Sequence, residues 1–339
     1  MEQERRAIRF GLVVIVFAVV WKLMGSGMWE PVADLLSRPR VASFLMYLET
    51  GRVASVQETL PMQTIAPTLA VVATEPATVP TTQPPRVTVT FSAEEGALTE
   101  VFNATRYGVD AGALVTQPLS WDLTQEGATV LIVHTHATES FTMDGEQYVE
   151  SSKYRTLDER YNMVRVGEEL AGVLESYGIT VIHDRTLHDY PSYTGAYNSS
   201  RKAVEGYLKE NPGIVLVLDL HRDSVELSNG SQMGTTATVN GKEAAQMMFV
   251  MGTDDGGLVH PRWRDNLALA VMLQTRLEQT APGLMRPLYL RRERFNQDLL
   301  PGMLLVEMGA AGNTLQEALQ AAQALGHAIG ALRYGANLS

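Results

Sequence analysis

Three short segments concentrate side chains able to hold a metal ion and move a proton. The first is His134-Thr135-His136-Ala137-Thr138-Glu139, directly after the apolar run Ala128 to Val133. The second is Asp219-Leu220-His221-Arg222-Asp223, closing a run that starts at Ile214. The third is Glu307, the single acid inside Met303 to Met308 (MLLVEM). Imidazoles and carboxylates together suit a zinc-type centre, in which three protein ligands leave one position for water. A divalent ion acidifies such a water, and a spare carboxylate takes its proton and passes it to a leaving amine. Glu307 is the candidate for that catalytic carboxylate, because burial among apolar neighbours raises a carboxyl group's proton affinity.

Within the first segment the roles stay open. His134 and His136 are two residues apart and share a face if the strand continues through them. Either both ligate, or His134 ligates while His136 orients it or touches substrate. His134 and His221 are the expected imidazole ligands and Glu139 the expected carboxylate, with capping of a following helix as the alternative use of Glu139. Asp219 reads as a carboxylate supporting a ligand. His183, His188 and His260 read as local polar contacts, with His188-Asp189 lining a cleft, and His327 as a surface residue. The chain has no cysteine. Any metal must therefore rest on His, Asp and Glu, and thiolate zinc, iron–sulfur and cysteine-nucleophile chemistry drop out. No His-Glu-x-x-His, phosphate loop, nucleophile elbow or dinucleotide fingerprint is present. Gly252 to Gly257 (GTDDGG) is a polar loop after a strand.

These segments need strands to aim them. Ala128–Val133, Ile179–Ile182, Ile214–Leu220, Ala245–Met251 and Met303–Met308 read as buried strands. Tyr161–Tyr177, Ala196–Lys209 and Asp265–Gln279 read as helices, and Thr314-x-x-Glu317 is a capping box opening a last helix to about Tyr334. Gly178 is a candidate helix terminator. Strands alternating with helices predict an α/β domain with a mainly parallel sheet flanked by helices. In such sheets the site lies at the carboxyl ends of strands, where these three segments would converge.

The 339 residues are 45% apolar and 19% charged, enough to bury a core and too apolar for global disorder. A net charge of −11 argues against a nucleic-acid binder, which needs a basic face. Arg5, Arg6 and Arg9 precede the uncharged run Phe10 to Trp21, which Lys22 interrupts and which continues to Trp29. With Lys22 reaching toward the interface, the stretch is long enough to cross a bilayer, and the arginines place the N-terminus inside. Residues 58–91 hold nine Thr and six Pro, which favour extended chain over a packed core. The expected layout is a cytoplasmic N-terminus and transmembrane signal-anchor (1–30), an extracytoplasmic stalk (31–91) and a catalytic domain (92–339).

Leu131 to Phe141 (LIVHTHATESF), Asn162 to Gly167, the Gly-Ile-x-Val-x-His-Asp run ending at Asp184, Tyr193 to Ser200 (YTGAYNSS), Leu218 to Ser224 (LDLHRDS) and Val306 to Ala318 together resemble the stage II sporulation protein P family. The resemblance spans about residues 125 to 335. It implies a fold similar to the zinc-dependent cell-wall amidases. It also implies N-acetylmuramoyl-L-alanine amidase and endopeptidase activity on peptidoglycan during spore engulfment, at the mother-cell membrane facing the septal wall. By motif it places zinc on His134, Glu139 and His221 and the catalytic carboxylate on Glu307, with Asp158 or Glu159 as alternatives for the middle ligand. His136, Arg222, Asp223 and Ser200 become candidates for contacting substrate or supporting the ligands. Stage II sporulation proteins D and M are the implied partners. Ala137 stands where the family often has Asn. A metal-dependent deacetylase of wall glycans and a non-catalytic wall-binding scaffold are the competing readings.

Overall fold

The computed structural model describes residues 91–333 apart from 118–120, 144 and 146. The expected anchor and stalk, except Phe91, lie outside the described residues; among the described residues no helix is long and apolar enough to cross a membrane. Runs of branched and long apolar side chains build the middle of a seven-stranded sheet. Val130–Val133 (β2) is buried at every position, the pattern of a strand covered on both faces. Leu216–Asp223 (β4) and Met303–Ala310 (β9) are its longest strands. Val181–His183 (β3), Met248–Met251 (β7), Leu288–Leu290 (β8) and Val101–Asn103 (β1) complete it, in the order β1-β8-β7-β9-β4-β2-β3. Thr236–Val239 (β5) and Lys242–Ala245 (β6) pair separately as a hairpin.

The pairings are parallel except β7 with β9, which is antiparallel. The mainly parallel sheet is therefore two parallel blocks running in opposite directions. β9, β4, β2 and β3 send their carboxyl ends to one edge, so the segments after Val133 and Leu220 emerge together. The loop after β7, with the GTDDGG run, leaves from the other edge. An apolar run carries no sign of strand direction, so the reversal is invisible in the pattern.

Ala93–Ala97 (α1) and Ala111–Val115 (α2) are short. Met163–Ser176 (α3), Ala196–Glu210 (α4), Trp263–Thr280 (α5) and Leu315–Ala331 (α6) are the layer-forming helices. Asn162 caps α3 by accepting from the Val164 N–H, and Gly178 follows its end at φ 71°. The Thr314–Glu317 capping box opens α6 as expected. Alternation along β4 splits its side chains between two faces. Leu216, Leu218 and Leu220 pack in the large core with residues of α3, α5 and α6, whereas Val217 joins Val204 of α4 on the other face. Asp219 and His221 share the Val217 face by the same alternation, so their polar groups lie beside α4.

At Gly167 α3 lies close against the buried His134 and His183 rings. A Cβ there would lie 2.5 Å from His183 Nε2 and 2.6 Å from His134 Nε2. Gly167→Ala should lower Tm by about 5 °C, because crowding of about 1–3 kcal/mol outweighs alanine's better helix propensity. A thermal melt checks this, and an unchanged Tm would mean the two rings are free to move aside.

Candidate metal centre

β2 ends at Val133, and residues 135–138 form a turn. Strand alternation therefore stops before the histidines, and His134 and His136 do not share a face. His134 is fully buried, with Nε2 2.8 Å from His183 Nε2 and Nδ1 3.3 Å from the Leu220 carbonyl oxygen. Both of its nitrogens are occupied by protein, and it stays outside the group that converges. This corrects the expectation that His134 and His221 meet around one ion. Burial, aided by His183, pushes His134 down to about 3; burial, aided by Arg185, pushes His183 to about 4. The pair is neutral, one ring donating to the other.

The side chains that do converge are His136, Glu139 and His221, all buried, each with a ligand atom within 4.8 Å of the others. His136 Nδ1 lies 3.6 Å from one Glu139 oxygen, and His221 Nδ1 lies 3.6 Å from the other. These separations exceed a hydrogen bond. They are close to the roughly 3.3 Å expected between neighbouring ligands of a tetrahedral zinc ion. The donor set of two imidazoles and one carboxylate fits a zinc-type ion.

Buried groups hold this arrangement. Asp219 accepts the Thr135 N–H (2.8 Å) and hydroxyl (2.7 Å), and its Oδ1 lies 3.1 Å from His221 Nε2. Glu139 accepts the Arg222 backbone N–H at 3.2 Å and an Arg155 guanidinium N–H at 3.2 Å. Burial would raise the Glu139 carboxyl, but Arg222, His221 and His136 outweigh it and hold the group well below the usual carboxylate range. Burial likewise opposes a proton on His221, yet Asp219 and Glu139 raise that imidazole well above 6.5. His136 faces Glu139 too, but burial wins there and lowers it to about 4.

Glu307 sits on β9 directly across from His221 in the strand register. It is partly exposed as a residue, yet its Oε2 is buried without a hydrogen-bond partner. Desolvation first, then the negative charge of Asp223, raise its pKa to about 8, against a smaller opposing pull from His221. A carboxyl group that retains its proton near neutrality lies beside an ionised one, the condition for dividing acid and base work.

The remaining candidates take other places. Arg222 turns its guanidinium to the Ser140 and Tyr154 carbonyls, leaving its backbone N–H on Glu139. Asp223 pairs with Arg286 at 2.8 Å. Ser200 bonds the Thr135 hydroxyl at 2.7 Å and so braces the turn. Asp158 and Glu159 pair with Arg160 and Arg185 and lie outside the converging group. His188 sits between Asp184 and Ser199, and Asp189 holds Thr138 and Arg155. His327 is exposed. Three contributors gave no sequence signal of a role: Arg155, which spans Glu139 and Asp189; Tyr193, stacked on His136 at 4.4 Å; and Tyr197, whose ring lies 6.4 Å from His221. Both tyrosines fall in the YTGAYNSS block, but Arg155 is placed only by tertiary structure.

The molecule is thus an α/β protein with a buried His–Glu–His group at the carboxyl edge of a parallel strand block and the buried, unpartnered Oε2 of Glu307 beside it. The stage II sporulation protein P family model matches residues 67–330, and the chain belongs to that family. It is 30% identical over 214 residues to the stage II sporulation protein P of Bacillus subtilis (strain 168), covering 59% of this chain. It spans half the length of that relative. Solved N-acetylmuramoyl-L-alanine amidases overlap it loosely. Those of Nostoc punctiforme and Clostridium difficile 630 align at 15% and 16% identity, both with a TM-score of 0.36. They cover 62% of this chain and 98% and 97% of theirs.

Two measurements follow from this geometry. Zinc titration of the full-length protein should show about one tight site, weakened at least tenfold in His136→Ala and His221→Ala and retained in His134→Gln. Loss of zinc in His134→Gln with zinc kept in His136→Ala would reverse the ligand assignment. Acid should also destabilise the metal-stripped protein. Between pH 6.5 and about 4 the unfolded chain takes up protons at positions 134, 136 and 183 that the folded chain refuses, so stability falls as pH drops. Glu307 works in the opposite sense between pH 4.5 and about 8, and His221, raised well above 6.5, does so chiefly above pH 6.5, but below that three imidazoles outnumber them. Tm should therefore drop by several degrees from pH 6.5 to pH 5, and His183→Gln should flatten that slope.

Proposed function

We propose that this protein is a zinc-dependent peptidoglycan hydrolase, an N-acetylmuramoyl-L-alanine amidase with endopeptidase activity on cross-links, acting in spore engulfment. The observation that carries the reading is the convergence of His136, Glu139 and His221 beside Glu307. Family membership supports the cellular context. In this reading the N-terminal segment is a membrane anchor facing the catalytic domain toward the septal wall, and stage II sporulation proteins D and M are partners.

His136, Glu139 and His221 would hold the ion, which when bound supplies Lewis acidity toward water and the scissile carbonyl. The chain's own groups do the rest. Arg155 and the Arg222 N–H orient Glu139, and the charges of Arg222, His221 and His136 keep it ionised. Asp219 Oδ1 approaches the His221 Nε2 edge at 3.1 Å, and Nδ1 lies 3.6 Å from Glu139. In its ionised form, which a bound cation would favour, Glu307 receives the proton of the attacking water and delivers it to the amide nitrogen that leaves as an amine; burial gives this carboxylate the proton affinity to hold the proton between the two transfers. The Tyr193 ring, half exposed over His136, offers a flat apolar face to a sugar or peptide group.

The zinc-loaded protein should solubilise purified sacculi and release stem peptides, chelator should stop it, and Glu307→Gln should lower turnover by at least a hundredfold while zinc stays bound. Full activity in Glu307→Gln would remove the proposed proton route. Release of acetate in place of peptide would identify a wall-glycan deacetylase instead.

A further inference from the structure

The Gly252–Gly257 loop takes no part in the metal centre, yet it is built into the structure with care for backbone contact. It lies against residues 291–296, which follow β8. The Thr253 hydroxyl donates to the Arg291 carbonyl at 2.9 Å, and the Gly256 N–H donates to the Arg292 carbonyl at 2.9 Å. A Cβ at Gly256 would lie 2.6 Å from that same carbonyl oxygen, and one at Gly252 would overlap the Glu293 carbonyl oxygen. Only glycine allows the two backbones to touch in this way. On its other side the 291–296 segment is tied to α4. Asn296 Nδ2 donates to the Tyr197 carbonyl (2.8 Å) and the Ser200 hydroxyl (3.3 Å), and Arg201 clasps Asp298 through two 2.9 Å bonds. Phe295 and Asn296 are consecutive non-glycine residues at φ 50° and 59°, left-handed conformations that persist only where surroundings enforce them.

These two segments enclose a cleft of about 620 Å3 lined by Tyr197, Asn198, Leu258, Arg292, Arg294 and Phe295, among others. Tyr197 belongs to both sites. Its ring is stacked over His221 and set edge-on to His136 at 5.6 Å, and it approaches Phe295 at 6.0 Å. Tyr197 thus borders the metal group through His136 and His221 and the cleft through Phe295. Arg292 and Arg294 are only partly neutralised there. Arg292 lies 3.3 Å from Asp255, which makes a closer 3.1 Å contact with Arg106. Arg294 lies 3.3 Å from Asp298, whose shorter bonds go to Arg201. Glu293, the acid between them, is held by Arg291 at 3.1 Å. Arg292 also donates to the Asp255 carbonyl (3.4 Å) and Arg294 to the Val259 carbonyl (3.3 Å), so each guanidinium keeps further N–H groups; beside the Tyr197, Leu258 and Phe295 side chains they match a peptide that carries a free carboxylate.

We propose that this cleft is the subsite for the carboxylate-bearing peptide portion of the substrate, with Arg292 and Arg294 as its specificity-determining residues. The inference rests on the hydrolase reading and assigns the side of the site that takes the stem peptide rather than the glycan. Peptide stems of peptidoglycan carry free carboxylates, whereas neutral sugar rings offer none.

The test compares two soluble disaccharide–peptide fragments, one with free stem carboxylates and one with those carboxylates amidated, cleaved by the full-length zinc-loaded protein. The free form should be preferred about tenfold in kcat/KM. Arg292→Gln/Arg294→Gln should lose that preference through a rise of about tenfold in KM, and Arg292→Lys should keep most of it. Equal cleavage of both fragments by the unaltered protein, or an unchanged preference in the double variant, overturns the proposal while the hydrolase reading stands. If neither fragment is cleaved, the hydrolase reading fails, and calorimetric titration with the free-carboxylate stem peptide decides the subsite. Binding at least fivefold weaker in the double variant supports it, and equal binding overturns it. Should the double variant fail to fold, Arg292→Gln replaces it, because that side chain is 62% exposed and removable without opening the core.

Discussion

One buried carboxylate governs the geometry of the centre. Asp219 lies at 1% exposure in the middle of β4 and uses its two oxygens on two elements. It receives the N–H and hydroxyl of Thr135, which pins the turn after β2 onto the neighbouring strand, and it lies against His221 two positions further along. The turn it pins carries His136 and leads to Glu139, so the same side chain sets both halves of the converging group. A charge this deep is tolerable only because its partners are all present, and an unpartnered one would be strongly destabilising.

The division of labour between acids follows from their surroundings. Glu139 is reached by Arg155, by the Arg222 amide and by two imidazoles, and it stays ionised despite burial. Glu307 sits one strand away with an unpartnered oxygen and the negative Asp223 nearby, and it keeps its proton to about pH 8. Their separation into a ligand and a proton carrier needs no difference in residue type. The reversed β7–β9 pairing then brings a second set of loops, which begin from the far edge, up alongside α4. That is how the GTDDGG segment and the Arg292–Asn296 strap come to border the same tyrosine as the metal group.

Much of this was legible in the chain. The buried strands, the α3, α4, α5 and α6 helices and the Thr314–Glu317 cap follow from apolar periodicity and capping chemistry, which are local properties. The three polar segments were likewise visible as charged groups where apolar runs end; the fold places Glu139 and His221 in one group and sets Glu307 across from His221 in the strand register. Which histidine joins them was not legible. Continued alternation past Val133 would give His134 and His136 one face, and only the turn, held by Asp219 and Ser200, sends His134 toward α3 and His183. Arg155 and Tyr197 act through contacts made across long sequence separations, for which single-sequence spacing holds no signal. The β1 strand and the β5–β6 hairpin mix exposed and polar positions, and β8 is a three-residue run closely flanked by arginines, so none of them stands out as a buried apolar run.

Anomalous diffraction at the zinc edge, from crystals of the zinc-loaded full-length protein, tests the central assignment most directly. One strong peak is expected within bonding distance of His136, Glu139 and His221, with Glu307 facing it. A peak lodged between His134 and His183, or none at the three converging side chains, would contradict it.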